Sequence, residues 1–370
     1  MKREKRPIKL ALFRDGPFLP PREGATYEIQ NLIRILKKKK FEILLLRCYR
    51  GWDDPEKYFG LGIKTIFLKK KDFYTDFHLL SEILIDHNIE IAQFDSPEHI
   101  VYIGAKLKKI ANVKIVFDVH NIHSSLAEQQ RKPKKEIMKL RNLEWNAFKL
   151  SDLIICHSDI DCNHITKNID KKIGIYRTKF RVKTNEIKYM SPLAKNKTLL
   201  FHGNNYYWPN ENAIKIICKS IAKKVAEKGF KFLIAGPTPK KIINKYQSKD
   251  IEFVGEVDKI SPFLSKGALA VCPIIEGSGT RTKILDYLAG GVIVITTSKG
   301  AEGLSEACKR HLIIEDNIES YPQIIVSIYH NRAQMRKMST EGRKFVKKEY
   351  GWDSCVEPFE KIYGKLLSLP

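Results

Sequence analysis

The stretch "EGSGTRTKILDYLAGG", residues 276–291, gathers side chains that could hold an anion. Gly277 and Gly279 permit positive φ or the close approach of a ligand to the backbone. Thr280 is a candidate cap for a helix that Gly290 and Gly291 would end. Its first turn would then hold Arg281, Thr282 and Lys283, so two cations coincide with free N–H groups and a positive dipole end. Ile284, Leu285 and Leu288 fall on one face, toward a core, and Lys283 and Asp286, three apart, share the opposite face. An ordinary strand–turn–helix with an exposed Lys–Asp pair satisfies the same spacing. The stretch matches neither common glycine-rich phosphate motif: no glycine precedes Lys283, and Thr282 stands where G-x-G-x-x-G needs its third glycine.

Such a loop must be positioned by strands, and the chain supplies them in alternation with helices. "IKLALF" (8–13), "FEILLLRC" (41–48), "KTIFL" (64–68), "IEIAQFD" (89–95), "VKIVFDVH" (113–120) and "DLIICHS" (152–158) read as strands, separated by segments of helical period. Residues 170–195 are polar and basic and break the rhythm. It restarts at "KTLLFHG" (197–203), "KFLIAG" (231–236), "IEFVGEV" (251–257), "LAVCPII" (269–275), "VIVITT" (292–297) and "HLIIED" (311–316). Strands alternating with helices predict parallel sheets covered on both faces, with ligands beyond the carboxyl ends of the strands. The expected fold class is α/β, with two Rossmann-like parallel-sheet domains facing a central cleft. The expected boundaries are 1–190, 191–351 and a C-terminal helical segment, 352–370.

Composition narrows the class. A chain of 370 residues, 43% hydrophobic and 29% charged, suits two globular domains and not disorder. Its apolar runs are far shorter than the roughly 20 residues of a membrane span. The basic start reads as no signal peptide, and a cytoplasmic protein, peripheral to the inner face of a membrane, is expected. Seven scattered cysteines without a C-x-x-C pair predict reduced thiols, and the cluster Cys156, His157, Cys162, His164 fits no usual zinc spacing. The net charge of +24 includes a surplus of 14 in residues 1–190, where 38 basic residues stand against 24 acidic ones. That suits an anionic partner, whether nucleic acid, acidic membrane or phosphorylated substrate; solvated lysine-rich faces explain it equally well.

"CPIIEGSGTRTKILDYLAGGVIVITTSKGAEGL" (272–304) resembles the donor loop of retaining GT-B glycosyltransferases of glycosyltransferase family 4, the glycosyl transferases group 1. "FHGNNYYWPNENAIKII" (201–217), "FLIAGP" (232–237), "FVGEV" (253–257), "LSDLIICHSDID" (150–161), "VFDVHN" (116–121) and "YGWDSCVEPFEKIYGKLL" (350–367) resemble further segments of that family, in order. The resemblance implies a retaining, metal-independent transferase that takes a UDP- or GDP-linked sugar as substrate and uses no cofactor. The acceptor would be a glycan or lipid-linked hydroxyl, with peripheral contact to an anionic membrane and no nucleic acid partner. It implies that Asp286 hydrogen-bonds the ribose, that Arg281 and Lys283 neutralise the diphosphate, and that Gly277, Ser278, Gly279 and Thr280 form the loop that meets phosphate and sugar. Glu276 and His120 would face the donor sugar, Gly24 would lie near phosphate or acceptor, and Gly203, in the turn opening the second domain, would join the residues that bind the nucleotide sugar. The last helix would cross back onto the first domain.

The departures from the family are Asp286 for the usual Glu, nine residues between Glu276 and Asp286, Glu23-Gly24 for the frequent glycine pair, and no cation in "GNNYYWPN". Diphosphate charge then falls on Arg281 and Lys283, or on Arg14. Glu144 and Asp152 read as surface or capping groups, and Trp208 with Pro209 as packing. A nucleotide-sugar epimerase, or a non-catalytic protein binding nucleotide or nucleic acid through basic surface, is the alternative.

Overall fold

The computed structural model describes residues 6–16, 18–19, 24–39, 41–51, 54–167, 169, 173–178, 180–194, 196–352 and 356–368. It divides into two compact units, Met1–Lys179 with Cys355–Pro370, and Phe180–Ser354.

Among the described residues, unit 1 forms a sheet of β1 (Ile8–Arg14), β2 (Phe41–Cys48), β3 (Lys64–Leu68), β4 (Ile91–Phe94), β5 (Lys114–Val119), β6 (Leu153–Cys156) and β7 (Gly174–Arg177). Their order is β3-β2-β1-β4-β5-β6-β7, and the paired strands run parallel. The strands are nearly continuous apolar runs because both faces are covered. Alternation then sorts them into two cores. Ala11, Phe13, Leu44 and Leu46 join one cluster, while Leu10, Leu12, Ile43 and Leu45 join the other. The second cluster also contains Phe359, Tyr363 and Leu366 from helix Val356–Leu367, so the end of the chain completes the core of unit 1.

Unit 2 forms a parallel sheet of β8 (Thr198–His202), β9 (Lys231–Ala235), β10 (Ile251–Gly255), β11 (Leu269–Cys272), β12 (Ile293–Thr296) and β13 (Ile313–Ile314), ordered β10-β9-β8-β11-β12-β13. β8 leads to β9 on one side and β11 to β12 on the other. Between β8 and β11 the connections diverge, which opens a crevice at their carboxyl ends. The corresponding point in unit 1 lies between β1 and β4.

One expectation is corrected. Cys156 and Cys162 are not reduced thiols but a disulfide, with Cα atoms 5.7 Å apart. Helix Asp159–Thr166 turns back directly after β6 and carries Cys162 over the strand's last residue. Cys48, Cys218, Cys272 and Cys308 form no disulfide, and Cys355 lies outside the described residues. No helix among the described residues is long and apolar enough to cross a membrane.

Candidate functional site

The loop after β11 and the turn after β8 meet at the divergence point of unit 2. Lys283 lies in the first turn of helix Thr282–Ala289 and is only 8% exposed. Its Nζ donates to Asn210 Oδ1 at 2.6 Å and sits 4.3 Å from the centroid of the Phe201 ring. A buried lysine needs such partners. Asn210 is fixed in turn, donating through Nδ2 to Asn204 O at 2.8 Å. Gly203 leaves room for the ammonium: a Cβ there would lie 2.8 Å from Lys283 Nζ and 2.8 Å from Asn210 Nδ2. Burial pulls the Lys283 ammonium down to about 8, with Arg281 adding to the effect and Cys272 and Asp286 opposing it.

Asp286 follows one turn later and is half-buried, its Oδ2 3.8 Å from His202 Nε2 at the end of β8. Burial pushes its carboxyl up to about 7, against the nearby Lys283. Burial likewise lowers His202 to about 3, which keeps that imidazole neutral at ordinary pH. Lys283 and Asp286 therefore do share a region, but not a solvent face. Lys283, in the first turn of this short helix, lays its ammonium over Phe201 of β8, and Asp286 faces His202 of the same strand.

Arg281 departs further from expectation. Its guanidinium turns back on its own loop and is buried, donating from Nη1 to Ser278 O and to Gly279 O (2.6 Å), and from Nη2 to Glu276 O (3.2 Å). Those carbonyls lie in the glycine turn, outside the strand ladder, and the planar guanidinium fork bonds all three. Arg281, not Thr280, occupies the helix N-cap position, and its side chain makes no cap hydrogen bond. The Thr280 hydroxyl donates instead to Gly303 O at 3.2 Å. Gly277 and Gly279 adopt φ of 103° and 72°, which glycine tolerates best. Glu276 is half-buried and its Oε2 accepts from Asn212 Nδ2 at 2.8 Å. Gly203, Glu276, Gly277, Ser278, Gly279, Thr280, Arg281, Lys283 and Asp286 are thus carried by two neighbouring loops and one helix of unit 2. Sequence reasoning set Asn210 aside as polar but unable to offset a diphosphate, and missed Asn212 and His202. Asn210 and Asn212 lie on helix Trp208–Ile216, whose start follows the β8 turn.

The unit 1 candidates stand apart from this group in the chain. Gly24 is the first residue of helix Gly24–Lys37, and Glu23 lies outside the described residues. Arg14 forms an ion pair with Asp95 at the carboxyl ends of β1 and β4, so its charge is compensated within unit 1. His120 directly follows β5, its ring stacked on His157 at 4.7 Å and 8°. Burial lowers it to about 3. Asp118 is held at both oxygens: its Oδ1 lies 2.6 Å from His157 Nε2, and its Oδ2 accepts from Gln93 Nε2 at 3.0 Å. Burial raises this carboxyl, yet His120 and His157 outweigh burial and hold it at about 2. Asp118, His120 and His157 offer ligand atoms within 4.8 Å of one another, close enough for a metal ion. Glu144 is buried, not superficial. It accepts from the Ser124 hydroxyl and from the N–H groups of His123 and Ser124, fastening the start of helix His123–Gln129.

Residues 196–331 match the family model described as Glycosyl transferases group 1. The chain is 25% identical to an uncharacterized glycosyltransferase of Methanocaldococcus jannaschii, over 94% of this chain and 92% of that one. Among solved structures, sucrose-phosphate synthase from Thermosynechococcus elongatus superposes with a TM-score of 0.76 at 12% identity, covering 98% of this chain and 99% of that one. Anabaena HepE in complex with UDP and glucose gives 0.73 at 13% identity, covering 98% and 100%. The two parallel-sheet units are those of the GT-B fold.

Proposed function

We propose, from the premise that this is a GT-B chain of the glycosyl transferases group 1 kind, that it is a retaining glycosyltransferase using a nucleotide sugar. Glycosyl transfer itself is supported by the family match of residues 196–331 and by the relative of the same description. The observation that carries the donor assignment is Lys283, a buried ammonium held by Asn210 and the Phe201 ring at the crevice of unit 2. A diphosphate there gains a charge-assisted hydrogen bond in a dry setting, and the bond strengthens as the leaving group takes on charge. The binding of UDP by HepE supports a nucleotide donor.

In this reading Asp286 accepts from the ribose hydroxyls, and Gly277, Ser278 and Gly279 meet phosphate and sugar. Arg281 holds that loop in shape. Glu276, steadied by Asn212, is the sugar-side group of unit 2, and His120 is the functional histidine of unit 1. The anomeric carbon–phosphate oxygen bond breaks, the acceptor oxygen bonds on the same face, and the acceptor proton passes to the departing phosphate. The carboxylate separation of retaining glycosidases, about 5 Å, has no role in such a reaction. Lys283 and the start of helix Thr282–Ala289 supply the positive potential, so no metal is required. The basic surplus of residues 1–190 fits an acceptor on an anionic lipid carrier.

Screening UDP-, GDP- and ADP-linked sugars for nucleoside diphosphate release, with and without chelator, tests the reading. Proton NMR of the product gives the anomer. An inverted product, or activity abolished by chelator, would refute the retaining or metal-independent parts.

A further inference from the structure

A polar chain runs through the buried interior of unit 1 and ends at the His120–His157 pair. It begins on helix Val356–Leu367, where the Tyr363 hydroxyl donates to Gln93 Oε1 at 2.6 Å. That bond fixes the amide, so Gln93 Nε2 points to Asp118 and donates to Oδ2 at 3.0 Å. Asp118 Oδ1 then faces His157 Nε2 at 2.6 Å. Tyr363, Gln93, Asp118 and His157 are all buried. They share one face of the sheet, because Ile91, Val116 and Ile155, each two residues before one of the strand members, lie in the core that Tyr363 joins.

The polarity of this chain is determined at every link. A tyrosine hydroxyl given to the amide oxygen leaves the amide only donors for Asp118. An ionised Asp118 accepts only, so His157 must carry its proton on Nε2. The His120 ring is stacked flat on that imidazole, its Nε2 3.6 Å from Asp118 Oδ2. A metal ion is the competing use of these side chains. It fits poorly: parallel rings do not converge their lone pairs on one point, both Asp118 oxygens already accept, and the positive Arg14 acts on Asp118 and His120 alike.

We propose that Tyr363, Gln93, Asp118 and His157 are positioning residues for His120, a hydrogen-bonded chain that ties the orientation of the histidine pair to the seating of the C-terminal helix. None of the four needs to touch substrate. Each sets the group next to it, so the last helix of the chain acts on His120 through three side chains. The catalytic half of this statement rests on the proposed transferase reading; the existence of the chain does not.

The test uses the full chain labelled with 15N-histidine, with His120→Gln and His157→Gln assigning the imidazole signals. Wild-type His157 is expected as the Nε2–H tautomer with a slowly exchanging proton. Tyr363→Phe keeps the ring and removes one hydroxyl. It is expected to shift both imidazole signals, speed that exchange and leave the melting transition within a few degrees. Unchanged His120 and His157 signals in Tyr363→Phe, or an Nδ1–H His157 in the wild type, would overturn the proposal. One equivalent of zinc chloride bound with loss of both signals would overturn it too, in favour of a metal site. In the same samples, UDP-glucose turnover should show a kcat lowered roughly tenfold with KM unchanged in Tyr363→Phe. Equal kcat would remove the positioning role. A wild type inert to every nucleotide sugar would defeat the transferase reading while the imidazole signals still decide whether the chain exists.

Discussion

Lys283 and Asp286 are the residues whose charge states matter most, because burial has moved both toward neutrality. In the folded chain Lys283 titrates near 8 against an ordinary 10.5, so its contribution to stability is present above 10.5 and lost as pH falls through 8. Asp286 titrates near 7 against 3.8, so its contribution is present below 3.8 and lost as pH rises through 7. The proposed donor binding has the opposite needs: a carboxylate for ribose and an ammonium for diphosphate. Affinity for UDP-glucose, whose phosphates do not titrate near neutrality, should therefore rise through Asp286's pH of about 7 and fall above Lys283's pH of about 8. Calorimetry across that range checks it. Asp286→Asn should flatten the acid limb, and a limb that survives in that variant would deny Asp286 the role. Gly203→Ala should also weaken binding, because its Cβ would displace the Lys283 ammonium and the Asn210 amide that holds it.

The loop after β11 works as an element because Arg281 closes it, and that part was hard to read in advance. Gly277, Gly279, Lys283 and Asp286 stand out in the sequence, since glycine freedom and charge show in the residues themselves. Arg281 also looked like a ligand cation. Only the folded turn reveals three carbonyls that need a donor, and the guanidinium meets them. Asn210 was illegible for a different reason. Its bond to Lys283 spans 73 residues and depends on parallel crossovers that bring β8 beside β11. Arg281→Lys should consequently fail to rescue Arg281→Ala, because one ammonium cannot serve a planar fork. Both variants are expected to lose roughly 1–3 kcal/mol of stability in urea unfolding, and to bind UDP-glucose more weakly. Full binding by Arg281→Lys would show that its charge, not its fork, is what the loop uses.

At the scale of the molecule, the apolar strand runs were readable because both sheet faces are buried, and the alternation gave the α/β class directly. The polar chain from Tyr363 to Asp118 was not, since Tyr363 and Gln93 are 270 residues apart and neither stands in a recognisable motif. The same distance gives the last helix a structural role in unit 1. Phe359→Ala should cost about 3–5 kcal/mol through the cavity it leaves. That loss should appear in the unfolding of unit 1 alone, with amide exchange in unit 2 unchanged. Protection lost equally in both units would contradict the division of the cores.

The most direct test of the donor site is calorimetry of UDP-glucose, and of GDP- and ADP-glucose in parallel, against the wild type and Lys283→Met. A methionine keeps the stem beside Phe201 and deletes the charge. At about pH 7.5, between the Asp286 and Lys283 values, the wild type should bind at least one of the three. Lys283→Met should lose about 1.5–3 kcal/mol, roughly a ten- to hundredfold drop. Equal affinity in the variant, or no binding of any nucleotide sugar by the wild type, would contradict a diphosphate held at Lys283.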